Sequence, residues 1–352
     1  MSRLLAALLF ALTPVLALAE DLIRVYNWND YIAPGVLAEF EQETGIRVEY
    51  HTYSTIQELL ETLDRGEAID VAVPSNDYLP GLIAAGKLQP LDFNRLPNRR
   101  HLDRQLLSKL TASDSGNRYA LPYLWGAVGL AINEPQAQQA WGGPLPHSWS
   151  LVFDPEQSAR LAGCGISVLD AQAEVMTILL NYQGHSPTRT APRQIQRAGQ
   201  TLAKLRPHLR YVDSERYIED LKNGQLCLAV AWMGDALVAA DAGQPIRFVI
   251  PEEGTSLFID NLVIPSTARR PDLAHRFMDY LMRPEVAARI SAETLFPTAN
   301  AGAREYLSET LEKHPELNPD RETKRRLFLI EPLPDKLAAT REATWSQFRN
   351  NL

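Results

Sequence analysis

The sequence is poor in the residues on which most metal and redox chemistry depends. It has two cysteines, Cys164 and Cys227, far too distant for a CxxC pair, so neither dithiol redox catalysis nor a zinc knuckle is indicated. Its seven histidines include no HxH or HxxxH pair, and without that spacing no metal site is signalled. There is no GxSxG elbow, no GxGxxG turn and no P-loop, which removes the commonest signatures of hydrolases, dinucleotide enzymes and NTPases. Neither an enzyme nor a cofactor or metal is expected. Positive charge is in deficit: 35 Lys and Arg stand against 43 Asp and Glu, a formal net charge of −8. With the basic residues scattered, nucleic acid is a poor partner for such a chain. Beyond the N-terminal segment no apolar run reaches the ~20 residues that a membrane-spanning helix needs.

What is present begins with an export signal. Arg3 precedes an apolar run from Leu4 to Leu18, and Ala17-Leu18-Ala19 offers small residues at the cleavage-defining positions. Residues 1–19 therefore read as a signal peptide removed before Glu20, and the mature chain as periplasmic, without membrane insertion. Loss of Arg3 takes the formal charge to −9. In an oxidising compartment an even cysteine count reads as one disulfide, two buried thiols being the alternative. The mature length suggests about two domains.

The N-terminal part alternates strand and helix patterns. Strands are expected at 22–26, 46–53 and 70–73. Between them lie a helix opened by Pro34 and closed by Gly45, and another whose Thr55 and Glu58 have capping-box spacing. The rhythm resumes with strands at 165–169 and 226–231 and helices at 171–182, 191–205, 214–222 and 234–242. Two more strands, at 246–250 and 257–264, precede helices at 271–282 and 284–293 and a charged helical tail. This is an α/β pattern with parallel strands covered by helices.

In open parallel sheets, ligands bind beyond the carboxyl ends of the strands. Those places carry Trp28, Asp30 and Tyr31; Ser75; Asp170 and Glu174; Trp232 and Asp235; Phe258 and Asp260. Acids and aromatics recur there, and no lysine or arginine is among them. An alkyl diammonium asks for that set: carboxylates accept from each ammonium, and aromatic faces wall the methylenes. An amino acid or an anion would ask for a basic group. Each residue alone also has a plainer reading. Trp28 or Trp232 can be core, Asp30 a turn residue, Ser75 a cap, and Asp235 an acid favoured by a helix N-terminus. Asp260 resists such a reading, because a charge inside an apolar strand is rarely buried without a partner. Carboxylates with aromatic platforms also suit a carbohydrate-active protein, the best enzymatic alternative.

The string Tyr26-Asn27-Trp28-Asn29-Asp30-Tyr31-Ile32 resembles the opening of bacterial polyamine-binding proteins, the periplasmic receptors of polyamine ABC importers. The likeness continues through Asp70-Val71-Ala72-Val73-Pro74-Ser75, Leu121-Pro122-Tyr123-Leu124-Trp125-Gly126, Cys164-Gly165-Ile166-Ser167, Leu205-Arg206-Pro207 and Trp232-Met233-Gly234-Asp235. It covers essentially the whole mature chain and most resembles the putrescine-binding branch. It implies a type II periplasmic binding protein fold, two α/β lobes with a ligand cleft between them, which close by a hinge. The first lobe would hold residues 20–124 and 245–285, the second 125–244 and 286–352. Cys164 and Cys227 match the family's disulfide pair.

By the same resemblance Trp28 and Tyr31 pack on and bond to the ligand. Asp30 accepts from one ammonium with Ser75 and Glu174 nearby, and Trp232 forms a wall with Asp235 at the other end. Phe258 stacks on the methylenes, and Asp260 is the main carboxylate. Asp170 is placed behind this set. Asn29, Asp77, Pro297 and Glu331 depart from the family pattern, so Asn29, Asp77, Asp170 and Glu331 are candidates for deciding which amine binds. The implied partners are a polyamine (putrescine, cadaverine, agmatine or spermidine) and an inner-membrane ABC permease, with the chain a monomer. Presentation of the ligand to a chemoreceptor or sensor is an alternative use of the same fold.

Overall fold

The computed structural model describes residues 21–186, 190–331 and 333–350, and the signal segment read at 1–19 lies outside them. Ten strands form one mixed sheet. In chain order they are β1 (Leu22–Trp28), β2 (Arg47–Tyr53), β3 (Val71–Ala72), β4 (Ala120–Asn133), β5 (Ile166–Val168), β6 (Leu209–Val212), β7 (Leu228–Trp232), β8 (Ile246–Val249), β9 (Thr255–Val263) and β10 (Leu327–Leu329). Their spatial order is β2-β1-β3-β9-β4-β7-β5-β6, with β10 beside β9 and β8 beside β4. β1 runs parallel to β2 and β3, and β5 runs parallel to β6 and β7. These are the two wound units that the alternating pattern anticipates, each crossing through a helix.

The two units meet on β4, all of whose residues are buried. Its first part, from Ala120 to Ala127, pairs with β9. Its second part, from Val128 to Ile132, pairs with β7, and Leu130 to Asn133 also pair with β8. All of these pairings are antiparallel, so β4 and β9 supply the non-parallel centre of the sheet.

Local details depart from the sequence reading. The first helix is Val36–Thr44, and it starts after Gly35 in a left-handed conformation (φ 81°). Pro34 thus lies before the helix rather than in its first turn, because the chain must reverse at Gly35 first. At the helix Ile56–Asp64 the Thr55 hydroxyl donates to the Glu58 carboxylate at 3.0 Å instead of accepting a backbone N–H. Glu58 accepts from the Ser54 amide, one residue before the cap, so neither half of the capping box is formed.

Two buried aspartates show how this fold normally satisfies an acid. Asp70 accepts from the backbone amides of Arg24, Arg269 and Arg270. Asp114 accepts from those of Tyr119 and Ala120. Amide donors of this kind hold the charge in place and leave little capacity for a ligand.

Cys164 and Cys227 are joined, with Cα atoms 5.5 Å apart and a sequence separation of 63. The bond ties the turn before β5 to the residue before β7. Closing a loop of that length constrains the unfolded chain, by about 2–4 kcal/mol in typical cases. The double variant Cys164→Ser/Cys227→Ser is expected to unfold at lower denaturant than the parent and with a steeper slope, because the unbridged unfolded chain exposes more surface. An unchanged midpoint would show that the bridge adds nothing to stability.

Candidate functional site

Asn27, buried at the end of β1, sets the first loop. Its side-chain oxygen accepts from the Trp28 amide at 2.8 Å, and its amide nitrogen donates to the Tyr31 carbonyl at 3.3 Å. Asp30, between them, takes a left-handed conformation (φ 52°). The result turns Tyr31 inward, where it is buried, and leaves Asn29 and Asp30 exposed. Asn29 donates to the Ser54 hydroxyl at 2.7 Å, tying the end of β1 to the end of β2. Trp28 packs on Tyr53 with ring centroids 4.6 Å apart.

Asp260 on β9 is only 3 % exposed. No backbone amide among the described residues holds it. Tyr31 Oη donates to one carboxylate oxygen at 2.7 Å, and Ser75 Oγ to the other at 2.5 Å. Ser75 lies opposite Asp260 in an antiparallel bridge. The buried Trp28 Nε1 faces the carboxylate without closing a hydrogen bond. Burial pushes Asp260 from 3.8 up to about 6, against the opposing pull of Ser75, Tyr31 and Trp28. Among the described residues, no cation is one of the groups that act on it.

Asp77 and Glu174 complete this end of the site. Asp77 follows β3; Glu174 lies in the first turn of the helix Gln172–Tyr182, which follows β5. Asp77 rises from 3.8 to about 7, first through burial, then through the charge of Glu174, with Asp260 adding to it. Its own amide and that of Tyr78 oppose the rise. Glu174 is also raised by burial, and the nearby Arg341 guanidinium pulls it back. Asp77 thus feels the charges of both Glu174 and Asp260.

Asp235 marks the other end, in the first turn of the helix Met233–Asp241. Burial raises it, while the Tyr217 hydroxyl, donating at 2.5 Å, and more distant Lys222 hold it down. The same hydroxyl accepts from the Trp232 amide at 3.3 Å, which locks wall and acid together.

A run of edge-to-face rings joins the two ends. Trp232 meets Phe258 at 5.3 Å, Phe258 meets Phe296 at 6.0 Å, and Phe296 meets Tyr31 at 5.3 Å between centroids. Two glycines make room for it. A Cβ on Gly126 would stand 2.3 Å from the Phe258 ring, and one on Gly234 would stand 2.4 Å from the Phe296 ring. Gly126→Ala is therefore expected to push Phe258 off its seat and weaken ligand binding about tenfold, the scale of one aromatic contact. Calorimetry on a variant with an unchanged far-ultraviolet spectrum checks this; wild-type affinity would show that the ring position does not matter.

The structure thus brings together Trp28, Tyr31, Ser75, Asp77, Glu174, Trp232, Asp235, Phe258 and Asp260. It turns Asp170 elsewhere: the carboxylate accepts from Trp345 Nε1 at 3.2 Å and pairs with Arg349 at 3.1 Å. Glu331 is exposed beyond β10. Pro297 is buried and accepts from the Trp125 amide, and its neighbour Phe296 supplies the ring. Phe296 and Tyr217 escaped the sequence reading, and Gly126 and Gly234 entered it only as parts of motifs, with no role of their own. Strand ends could have flagged Gly234, two residues after β7, but nothing local marks Phe296. Among the described residues no group of three or more His, Cys, Asp or Glu is placed to hold a metal ion, and no helix is long and apolar enough to cross a membrane.

The family model for bacterial extracellular solute-binding proteins matches residues 35–319. The chain is 36% identical to the putrescine-binding periplasmic protein PotF of Escherichia coli, over 99% of this chain and 97% of that one. It is 39% identical to a putrescine/agmatine-binding protein of Pseudomonas aeruginosa, over 94% and 92%. Among solved structures it is similar to the spermidine/putrescine ABC transporter substrate-binding protein PotD of Streptococcus pneumoniae. That match has a TM-score of 0.85 at 26% identity, covering 94% of this chain and 99% of that one. With a mixed α/β sheet of this order and a match across most of its length, the chain belongs to the bacterial extracellular solute-binding protein family.

Proposed function

We propose that this protein captures a linear aliphatic polyamine, putrescine or a close relative, and delivers it to the permease of an ABC importer. The observation that carries this reading is Asp260: a carboxylate almost without exposure, held by two hydroxyls and acted on by no cation. A buried charge of that kind is strongly disfavoured until a cation arrives. An ammonium at Asp260, Asp77 and Glu174, and a second at Asp235, would neutralise both ends, while the ring run covers the methylenes between them. The names of the relatives above point to the same class of ligand.

In this reading the mature chain is a periplasmic monomer freed of residues 1–19, and it binds without catalysing a reaction. It consists of two lobes, 20–124 with 245–285 and 125–244 with 286–352, that close over the amine. The Arg283–Glu43 and Arg289–Glu39 pairs tie the helix Pro284–Thr294 to the first helix. β8 pairs with the later part of β4, from Leu130 to Asn133.

Calorimetry against putrescine, cadaverine, agmatine and spermidine, with glutamate and γ-aminobutyrate as controls, tests the reading. Micromolar or tighter binding of at least one amine is expected, with none of either control. Binding of no amine would overturn it.

A further inference from the structure

One cation does reach the acidic end of the site, and it comes from the far end of the chain. The helix Asp335–Asn350 lies against the first turn of the helix Gln172–Tyr182. Glu342 accepts from Gln172 Nε2 at 2.6 Å. Trp345 and Arg349 both hold Asp170. Residues 341, 345 and 349 recur every four positions, so they line one helical stripe. Asp170 and Glu174 are also four apart. The stripe runs along them so that Arg341 comes beside Glu174, whose charge acts on it. Arg341 is partly buried, and its Nε, fully shielded from solvent, has no hydrogen-bond partner among the described residues.

We propose, on the polyamine reading above, that Arg341 is a specificity-determining residue. Its guanidinium occupies the outer side of Glu174 and so limits the ligand to a diamine. A diamine ends at the Asp77–Glu174 pair, and its ammonium takes the side of Glu174 that Arg341 leaves open. A longer triamine has to carry another positive charge towards the guanidinium. Two like charges in a partly desolvated space repel far more than they would in water. Arginine suits this task because it stays charged at any working pH.

The test compares putrescine and spermidine on the parent, Arg341→Gln and Arg341→Lys by calorimetry at pH 8, where the acids are ionised. Arg341→Gln is expected to improve the affinity for spermidine relative to putrescine at least tenfold. Arg341→Lys should keep the parental ratio. An unchanged ratio in Arg341→Gln, or equal weakening of both amines, would overturn the inference and leave Arg341 as packing. Should that variant not fold, Arg341→Met keeps the aliphatic stem and takes its place with the same expected ratio. If the parent binds neither amine, it is the polyamine reading that falls, a result distinct from any change of ratio.

Discussion

Asp260→Asn is expected to lose at least a hundredfold in diamine affinity and, at the same time, to raise the melting temperature of the ligand-free protein. Both effects come from one carboxylate. In the complex the ammonium sheds its water and needs a charged acceptor. Removing one partner of such a buried pair typically costs about 3–5 kcal/mol, and ~1.4 kcal/mol is a factor of ten. In the empty site the same charge is a burden. Asp260 stands at about 6 instead of 3.8 because burial disfavours its ionised form. A group raised in the folded state adds most stability below its unfolded value near 4 and loses that contribution as pH rises through 6. At ~1.4 kcal/mol per unit, the ionised carboxylate costs the folded protein on the order of 3 kcal/mol at pH 8. Asparagine removes that cost, and the Tyr31 and Ser75 hydroxyls can still hydrogen-bond to it. A scanning melt and a calorimetric titration check the pair of effects. Unchanged affinity would remove Asp260 from the site, and a lower melting temperature would show that its charge stabilises the empty protein.

The second large effect is on pH. Diamine affinity is expected to rise about ten- to a hundredfold between pH 5.5 and pH 8 and then level off. Asp77 stands at about 7 and Asp260 at about 6 in the empty site. At pH 5.5 Asp77 is mostly protonated, and an ammonium must first expel that proton. Binding favours the ionised acids, lowers their values, and so releases protons in the window from 5.5 to 7.5. Titrations near pH 6.5 in two buffers of different ionisation enthalpy should differ by the released proton. Asp77→Asn should remove the upper part of the pH profile. A flat profile, or no buffer dependence, would show that the acids are already ionised when the ligand arrives.

Much of this site was legible in the sequence because its residues sit where strands end. Asp260 stood out as a charge inside an apolar run, and Trp28, Trp232 and Asp235 lay at loop positions that the alternating pattern located. The remainder is set by contacts distant in sequence. β4 was not read as a strand: it is buried along its whole length, so it shows no alternation, and it contains Pro122. The ring of Phe296 reaches Tyr31 only because Leu295 turns left-handed (φ 53°) after its helix. Asp170 looked like a site acid until Trp345 and Arg349, far along the chain, claimed both its oxygens. Arg341 sits in a charged tail whose pattern shows a helix but not what that helix touches.

The position of β9 bears on how the chain is made. Residues 22–72 supply β1, β2 and β3, yet β3 and the first part of β4 have no common neighbour until Thr255–Val263 lies between them. A chain emerging N-terminus first has to be about three-quarters synthesised before its leading region can close its core. Pairings of such long sequence separation form slowly. On the periplasmic reading proposed above, that delay would keep the nascent chain open enough for a secretion channel to thread, and the binding site would be completed on the side of the membrane where Cys164 and Cys227 are oxidised.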